Sequence, residues 1–286
     1  MQLAVLAFLA AGSVLPAAAS PPVRGGGGLA VAAGDVTDRR RNDNVFSSLE
    51  VELKLTGEGS TEARGARARV EKAVDDTGRN LVKEGNEEPA FSTSSGDGAP
   101  ALKIELRNPA RRAAKLRELT GQVEVFLPER DPAAQARVPR FLSEMDRPIS
   151  APALKAAGAQ VTVISRKTYE AEKKKDAERR KKEAEGAGLA GAMVNAFGGL
   201  FEGLFGDIGE NDVLLKVDDK GKKLFAVDVL DASGKKVDGM GSMKVGDFWI
   251  LKYSEKLPAD SALSIYVLTP KAVVTEKFAL KDVPLP

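Results

Sequence analysis

The chain has 286 residues, with 43 Lys plus Arg against 41 Asp plus Glu, 28 Gly, 15 Pro, and neither histidine nor cysteine. That length accommodates one large domain or two ordinary ones, and so even a charge balance supplies no global field to steer the chain onto nucleic acid. Without histidine or cysteine there is no Ser/His/Asp or Cys/His nucleophile system, no His-ligated zinc and no disulfide framework, so an enzyme would have to work mainly through carboxylate, lysine or tyrosine groups.

The opening "MQLAVLAFLAAGSVLPAAAS" joins an apolar run, Leu3 to Leu15, to Ala17-Ala18-Ala19 and Ser20. It predicts a signal peptide over residues 1–19 and, with it, an exported protein: periplasmic, cell-surface or secreted. The competing readings are a buried N-terminal helix and an uncleaved anchor, although the run is shorter than the roughly 20 residues of a bilayer crossing. Residues 20–44 carry four consecutive glycines, then Arg39, Arg40 and Arg41 among Asp35, Asp38 and Asp43. Glycine raises the entropic cost of order, so this stretch is expected to be a flexible linker.

At "LEVELKLTG" Leu49, Val51, Leu53 and Leu55 alternate with Glu50, Glu52 and Lys54, the period-two pattern of a half-buried strand. "ARGARARVEKAV" places Ala66, Ala68, Val70 and Val74 on one parity, and "VDDTGRNLV" supplies a turn. "ALKIELRN" and "KLRELTGQVEVFLP" alternate again, the second broken by Gly121. Short alternating strands with turns between them predict two packed antiparallel sheets, giving a first domain over 45–145.

A second set starts with "AQVTVISRKTYE" and resumes with "DVLLKVDD", "KLFAVDVLDASGKKV", "DFWILKY", "ALSIYVLT" and "AVVTEKFALKDVPLP". It predicts a second domain over 146–286. The turns "VDDTGR" and "LDASGK" correspond at Asp75 and Asp231, Gly78 and Gly234, and Arg79 and Lys235, which suggests two domains of one type. The expected fold class is therefore all-β: two immunoglobulin-like β-sandwich domains, with a helical, glycine-rich insertion at 170–208 in the second.

"LEVELKLTG", "DDTGRNL", "LKIELRNPARRAAKLRELTGQVEVFLP" and "FALKDVPLP" resemble recurring pieces of large, mostly uncharacterised exported β-sandwich proteins of bacteria such as planctomycetes. The resemblance touches about half of the chain beyond the expected signal peptide. It implies an immunoglobulin-like architecture and an extracytoplasmic setting, and it brings no catalytic residue with it.

The insertion opens with seven Lys or Arg and six Asp or Glu between Glu170 and Glu185. Asp176 with Arg180 and Glu178 with Lys182 are favourable i,i+4 pairs, each worth roughly 0.2 to 0.5 kcal/mol in an exposed helix. Leu189, Met193, Phe197, Phe201 and Phe205 then recur every four residues, interleaved with helix-weakening glycines. Such a stripe needs a partner surface: its own domain, a second copy or another protein docking on residues 187–208, or a membrane surface. Gly199 and Gly203 form only an isolated GxxxG.

Adjacent carboxylates, Asp75 with Asp76 and Asp218 with Asp219, point to opposite faces if they lie on strands, which disfavours the two-carboxylate geometry of a glycosidase. No phosphate-binding glycine loop or calcium-loop spacing is present, and no cofactor is expected. The basic "RNPARRAAKLR" lacks interleaved aromatics, so a solvated face or carboxylate partners are expected there rather than nucleic acid. In "DFWILKY", Trp249, Leu251 and Tyr253 share one face, the expected core side, while Phe248 and Ile250 share the other with Lys252. The expected function is a noncatalytic structural or protein-interaction role. The alternatives are a carbohydrate-binding module with Trp249, Tyr253 and Tyr266 as platform, a membrane-interface protein acting through residues 187–208, and a carboxylate-dependent hydrolase.

Overall fold

The computed structural model describes residues 23–24, 28–40, 47–84, 89–93, 98–175, 178–179 and 208–286. The expected signal peptide at 1–19 and the stripe Leu189, Met193, Phe197, Phe201 and Phe205 lie outside the described residues. The described chain is all-β, with antiparallel sheets packed about shared cores, and it divides into two units. Unit 1 runs through Leu127 and includes Val274–Pro286; unit 2 is Pro128–Val273.

Unit 1 contains β1 (Val23–Arg24), β2 (Leu29–Arg39), β3 (Ser48–Gly57), β4 (Gly65–Asp75), β5 (Ser92–Thr93), β6 (Leu102–Leu106), β7 (Lys115–Phe126) and β16 (Val273–Pro284). They form two sheets, in the orders β1-β2-β3-β6 and β16-β7-β4-β5. The alternating residues of the sequence supply the core: Leu49, Val51, Leu53 and Leu55 from β3 and Leu102, Ile104 and Leu106 from β6 meet Leu116, Leu119, Val123 and Val125 from β7. Along β4 a bulge between Val70 and Lys72 shifts the parity, so Ala73, rather than Val74, reaches the core.

Unit 2 contains β8 (Gln135–Pro139), β9 (Arg147–Pro148), α1 (Pro152–Ala157), β10 (Gln160–Ile164), a helix over 166–175, β11 (Val213–Asp218), β12 (Leu224–Leu230), β13 (Gly241–Val245), β14 (Phe248–Lys252) and β15 (Ala262–Val267). Its sheets run β13-β14-β11-β10-β9 and β12-β15-β8. Val161, Val163, Leu215 and Leu251 from the first pack with Val227, Val229, Leu263 and Ile265 from the second in one core.

The two units repeat one plan. β2-β3-β6 corresponds to β10-β11-β14, and β4-β7-β16 corresponds to β12-β15-β8, in both strand order and chain order except at the last member. The matching turns match in detail. Asp75 N–H donates to the Arg79 carbonyl at 3.1 Å and Asp231 N–H to that of Lys235 at 2.8 Å; Leu81 N–H reaches Ala73 at 2.9 Å and Val237 N–H reaches Val229 at 2.8 Å. Gly78 and Gly234 take φ of +90° and +86°, conformations that side chains rarely adopt.

Three expectations are corrected. The linker expected over 20–44 contains β2, whose Leu29 and Val31 are buried and which pairs with β3 from Leu29↔Gly57 to Arg39↔Ser48. Its alanine-rich composition hides the strand, but the β3 edge satisfies its backbone. The boundary expected at 145/146 lies at Leu127/Pro128, because "RDPAAQARVPRFLSEMDRPIS" supplies β8 and β9 to unit 2. Finally, "AVVTEKFALKDVPLP" does not complete the second domain: its strand β16 pairs with β7 in unit 1, where Phe278, Leu280 and Val283 join the core.

Candidate interaction surface

β10 and β11 are direct antiparallel neighbours, paired from Gln160↔Asp218 to Ile164↔Leu214. A hairpin in that register requires only a tight turn, yet the chain between them carries the whole insertion. On the outer face of this sheet, Ile164, Leu214, Ile250 and Met243 are cross-strand partners in one row over β10, β11, β14 and β13. Ile164, Leu214, Ile250 and Phe248 are buried there. The alternation that sends Leu215 and Leu251 inward sends these side chains outward, so the sheet is apolar on both faces at this end.

The root of the insertion covers that row. Tyr169, on the helix over 166–175, meets Phe248 edge-on with ring centroids 5.0 Å apart at 75°, a favoured aromatic geometry. Ile208, at the return of the insertion, packs on the same cluster. Arg166 ties departure to return: its Nη2 donates to the carbonyl oxygens of Ile208 and Gly209 at 2.8 and 2.7 Å. Glu172 reaches down to Lys216 on β11 at 2.8 Å and also pairs with Lys175 at 3.4 Å. The Lys216 hydrogen bond and charge hold the Glu172 carboxyl below its ordinary range. The first turns of the charged run are therefore anchored to the sheet while most of their side chains stay in solvent.

The proposed glycan platform is not assembled. Tyr253 and Tyr266 are 8% and 2% exposed, and Tyr266 lies on β15, in the sheet opposite the one that holds Trp249. Lys244, the cross-strand partner of Trp249, places its Nζ 3.6 Å from the indole centroid. The ring face that a sugar would stack on is thus occupied by an ammonium group, whose pKa burial lowers. Burial, with the nearby charge of Asp228, raises the Tyr253 hydroxyl to about 12.

Unit 2 also has a groove of about 710 Å³ beside β8 and β9, which are edge strands of the two opposing sheets. Its wall includes Val138, Phe141 and Ile149, and its charged lining is Arg137, Arg147 and Glu144. Pro139 and Pro148 lie on these short edges, where the missing N–H groups oppose the addition of another strand.

The adjacent carboxylates take structural positions. Asp75 Oδ1 accepts from Thr77 N–H and Oγ1 and from Arg79 N–H, at 2.9, 2.7 and 2.9 Å, and Oδ2 accepts from Ala110 N–H at 2.9 Å. Burial pushes this carboxyl up, but those four bonds outweigh it and hold it below the usual range. Asp219 accepts from the N–H groups of Lys223 and Leu224. In the basic stretch, Arg107 pairs with Glu84 and Lys115 with Asp282, so both have carboxylate partners.

Sequence reasoning recognised the two-faced character of β14 but missed Arg166 and Tyr169 as anchors. The available signal was Tyr169, an aromatic residue just ahead of a run of charges. Among the described residues, no helix is long and apolar enough to cross a membrane. No protein-family model, curated protein or solved structure matches the chain.

Proposed function

We propose that this chain is a noncatalytic, exported interaction protein: two immunoglobulin-like sandwiches that present the insertion between β10 and β11 as a docking element. The observation that carries the reading is the pairing of β10 with β11 up to Ile164↔Leu214, which leaves the hairpin with no structural need for the long connection. The Arg166 bonds and the Tyr169 contact fasten the two ends of that connection to the sheet. A rooted insertion whose distal sequence carries Leu189, Met193, Phe197, Phe201 and Phe205 suits recognition of an apolar partner surface, with a second copy of the chain as the first candidate.

The test is deletion of residues 176–207 with a short Gly-Ser bridge, which keeps Arg166, Tyr169 and Ile208 in place. Sedimentation velocity over a concentration series should show self-association of the parent and its loss in the deletion, with both proteins equally folded by circular dichroism. A monomeric parent that binds liposomes when the deletion does not would replace the protein partner with a membrane surface. Unfolding of unit 2 on deletion would show the insertion to be part of the fold, and the proposal would fail.

A further inference from the structure

The last strand of each unit comes from an unexpected place in the chain. After β7 the chain leaves unit 1 and forms β8, which pairs with β15 of unit 2; after β15 it leaves unit 2 and forms β16, which pairs with β7 of unit 1. In a chain of two self-contained units, β8 would lie beside β7 and β16 beside β15. The equivalent strands have instead been exchanged. We propose that β16 is a detachable donor strand and that the β7 edge of unit 1 is a binding site for the β16 segment of a second copy of this chain.

The β7 edge is shaped for this strand. Gly121 leaves the space that Phe278 occupies: a Cβ there would lie 2.9 Å from Phe278 Cζ and 2.2 Å from the Arg69 carbonyl oxygen. Phe278, Leu280 and Val283 enter the core at 2%, 1% and 2% exposure. Lys115 Nζ meets Asp282 Oδ1 at 2.6 Å, and Leu285 N–H donates to the Ala114 carbonyl at 2.9 Å. Together these contacts fix side-chain seating and register in the middle of the pairing and at the Lys115 end of β7.

None of these contacts depends on which molecule supplies β16. The strand reaches unit 1 through residues 268–272, where Thr269 Oγ1 donates to Asp131 Oδ2 at 2.7 Å and Ala272 N–H donates to the Thr269 carbonyl at 3.1 Å. If that link extends, one copy delivers β16 to another with the same pairing and the same core, and the balance between closed and exchanged forms is set by the link and by protein concentration. The exchange does not involve the insertion, and the 176–207 deletion should undergo it as the full chain does.

The chain has no cysteine, so an engineered pair reports the contact cleanly. Full-length Lys115→Cys and Asp282→Cys chains are mixed, warmed to just below the unfolding transition, cooled and treated with a short bismaleimide cross-linker, which spans the gap that the Lys115 side chain now bridges. Seating of one copy's β16 on the other's β7 gives a covalent heterodimer, expected at least tenfold above that from Lys115→Cys mixed with Lys256→Cys, a cysteine outside β16. Adding Phe278→Asp to the Asp282→Cys chain should abolish the product, since the fault lies in the donor strand and the acceptor chain is intact. The double variant Lys115→Cys/Asp282→Cys, cross-linked with the same reagent before mixing, should stay monomeric. A heterodimer yield no higher than the control, while the double variant cross-links internally, would show that β16 does not exchange and would overturn the proposal.

Discussion

The repeated turn offers a comparison in which the two units serve as each other's control. Asp75 is fully buried and accepts four hydrogen bonds, three from backbone N–H groups and one from Thr77 Oγ1. Asp231, at the same position in unit 2, is half-buried and accepts from Ser233 Oγ at 2.6 Å and Lys235 N–H at 3.0 Å. Asp75→Ala leaves three dry amides without an acceptor, and at roughly 1.5 to 3 kcal/mol for each bond to the charged group the loss is about 4.5 kcal/mol or more. Water can enter at Asp231, so Asp231→Ala should cost much less, in line with the loss of an exposed cap. Urea denaturation followed by circular dichroism measures both. Against total stabilities of about 5 to 15 kcal/mol, the first substitution is severe and the second mild. Equal losses would mean that the turns act only through backbone geometry and that the buried carboxylate does not carry the energy assigned to it.

The same carboxyl sets a pH dependence: because Asp75 is held below its ordinary value, its contribution is present above about pH 4 and is lost as pH falls through the lowered folded-state pKa, so Asp75→Asn should flatten the acid limb of stability measured by thermal melts. Tyr253 has the opposite sign, with its hydroxyl raised to about 12; stability is full below about pH 10 and declines from there upward, and absorbance at 295 nm should show an ionisation at about pH 12 that Tyr253→Phe removes. Phe278→Ala should cost about 3 to 5 kcal/mol by urea denaturation, through the cavity left over Gly121, even though residue 278 stands far from β7 in sequence. Lys244→Ala should uncover the Trp249 ring and increase quenching of its fluorescence by acrylamide, whereas an unchanged quenching constant would mean that the lysine does not shield the indole.

How much of this was legible follows from what alternation encodes. Leu49, Val51, Leu53 and Leu55 announce β3 because one face is buried and the other is wet. Phe248 and Ile250 announce a second apolar face on β14, and Tyr169 and Ile208 cover it. β2 was missed because Leu29 and Val31 follow four glycines and precede alanines, a composition that reads as linker until β3 supplies backbone partners. Tyr253 shares parity with Leu251 and belongs to the core for that reason, which is why it cannot serve as a sugar platform. Tyr266 carried no such signal: all six residues of the central strand β15 are buried, so its parity does not separate wet from dry.

The β16 assignment failed for a different reason. Periodicity identifies a strand and its apolar face, but "FALKDVPLP" would fit beside either β7 or β15, since the two units repeat one plan. What distinguishes them is complementarity of particular atoms: the missing side chain at Gly121 under Phe278, and Lys115 opposite Asp282. The β7 edge stays unpaired until residues after Val273 arrive, so unit 1 cannot close when its first 127 residues are made and must wait for unit 2 to be threaded between its parts. Long sequence separation delays closure because loop entropy must be overcome before the contact forms. During that delay the open β7 edge is exposed to any other strand of matching shape, and the strand of matching shape in greatest supply is β16 of another copy.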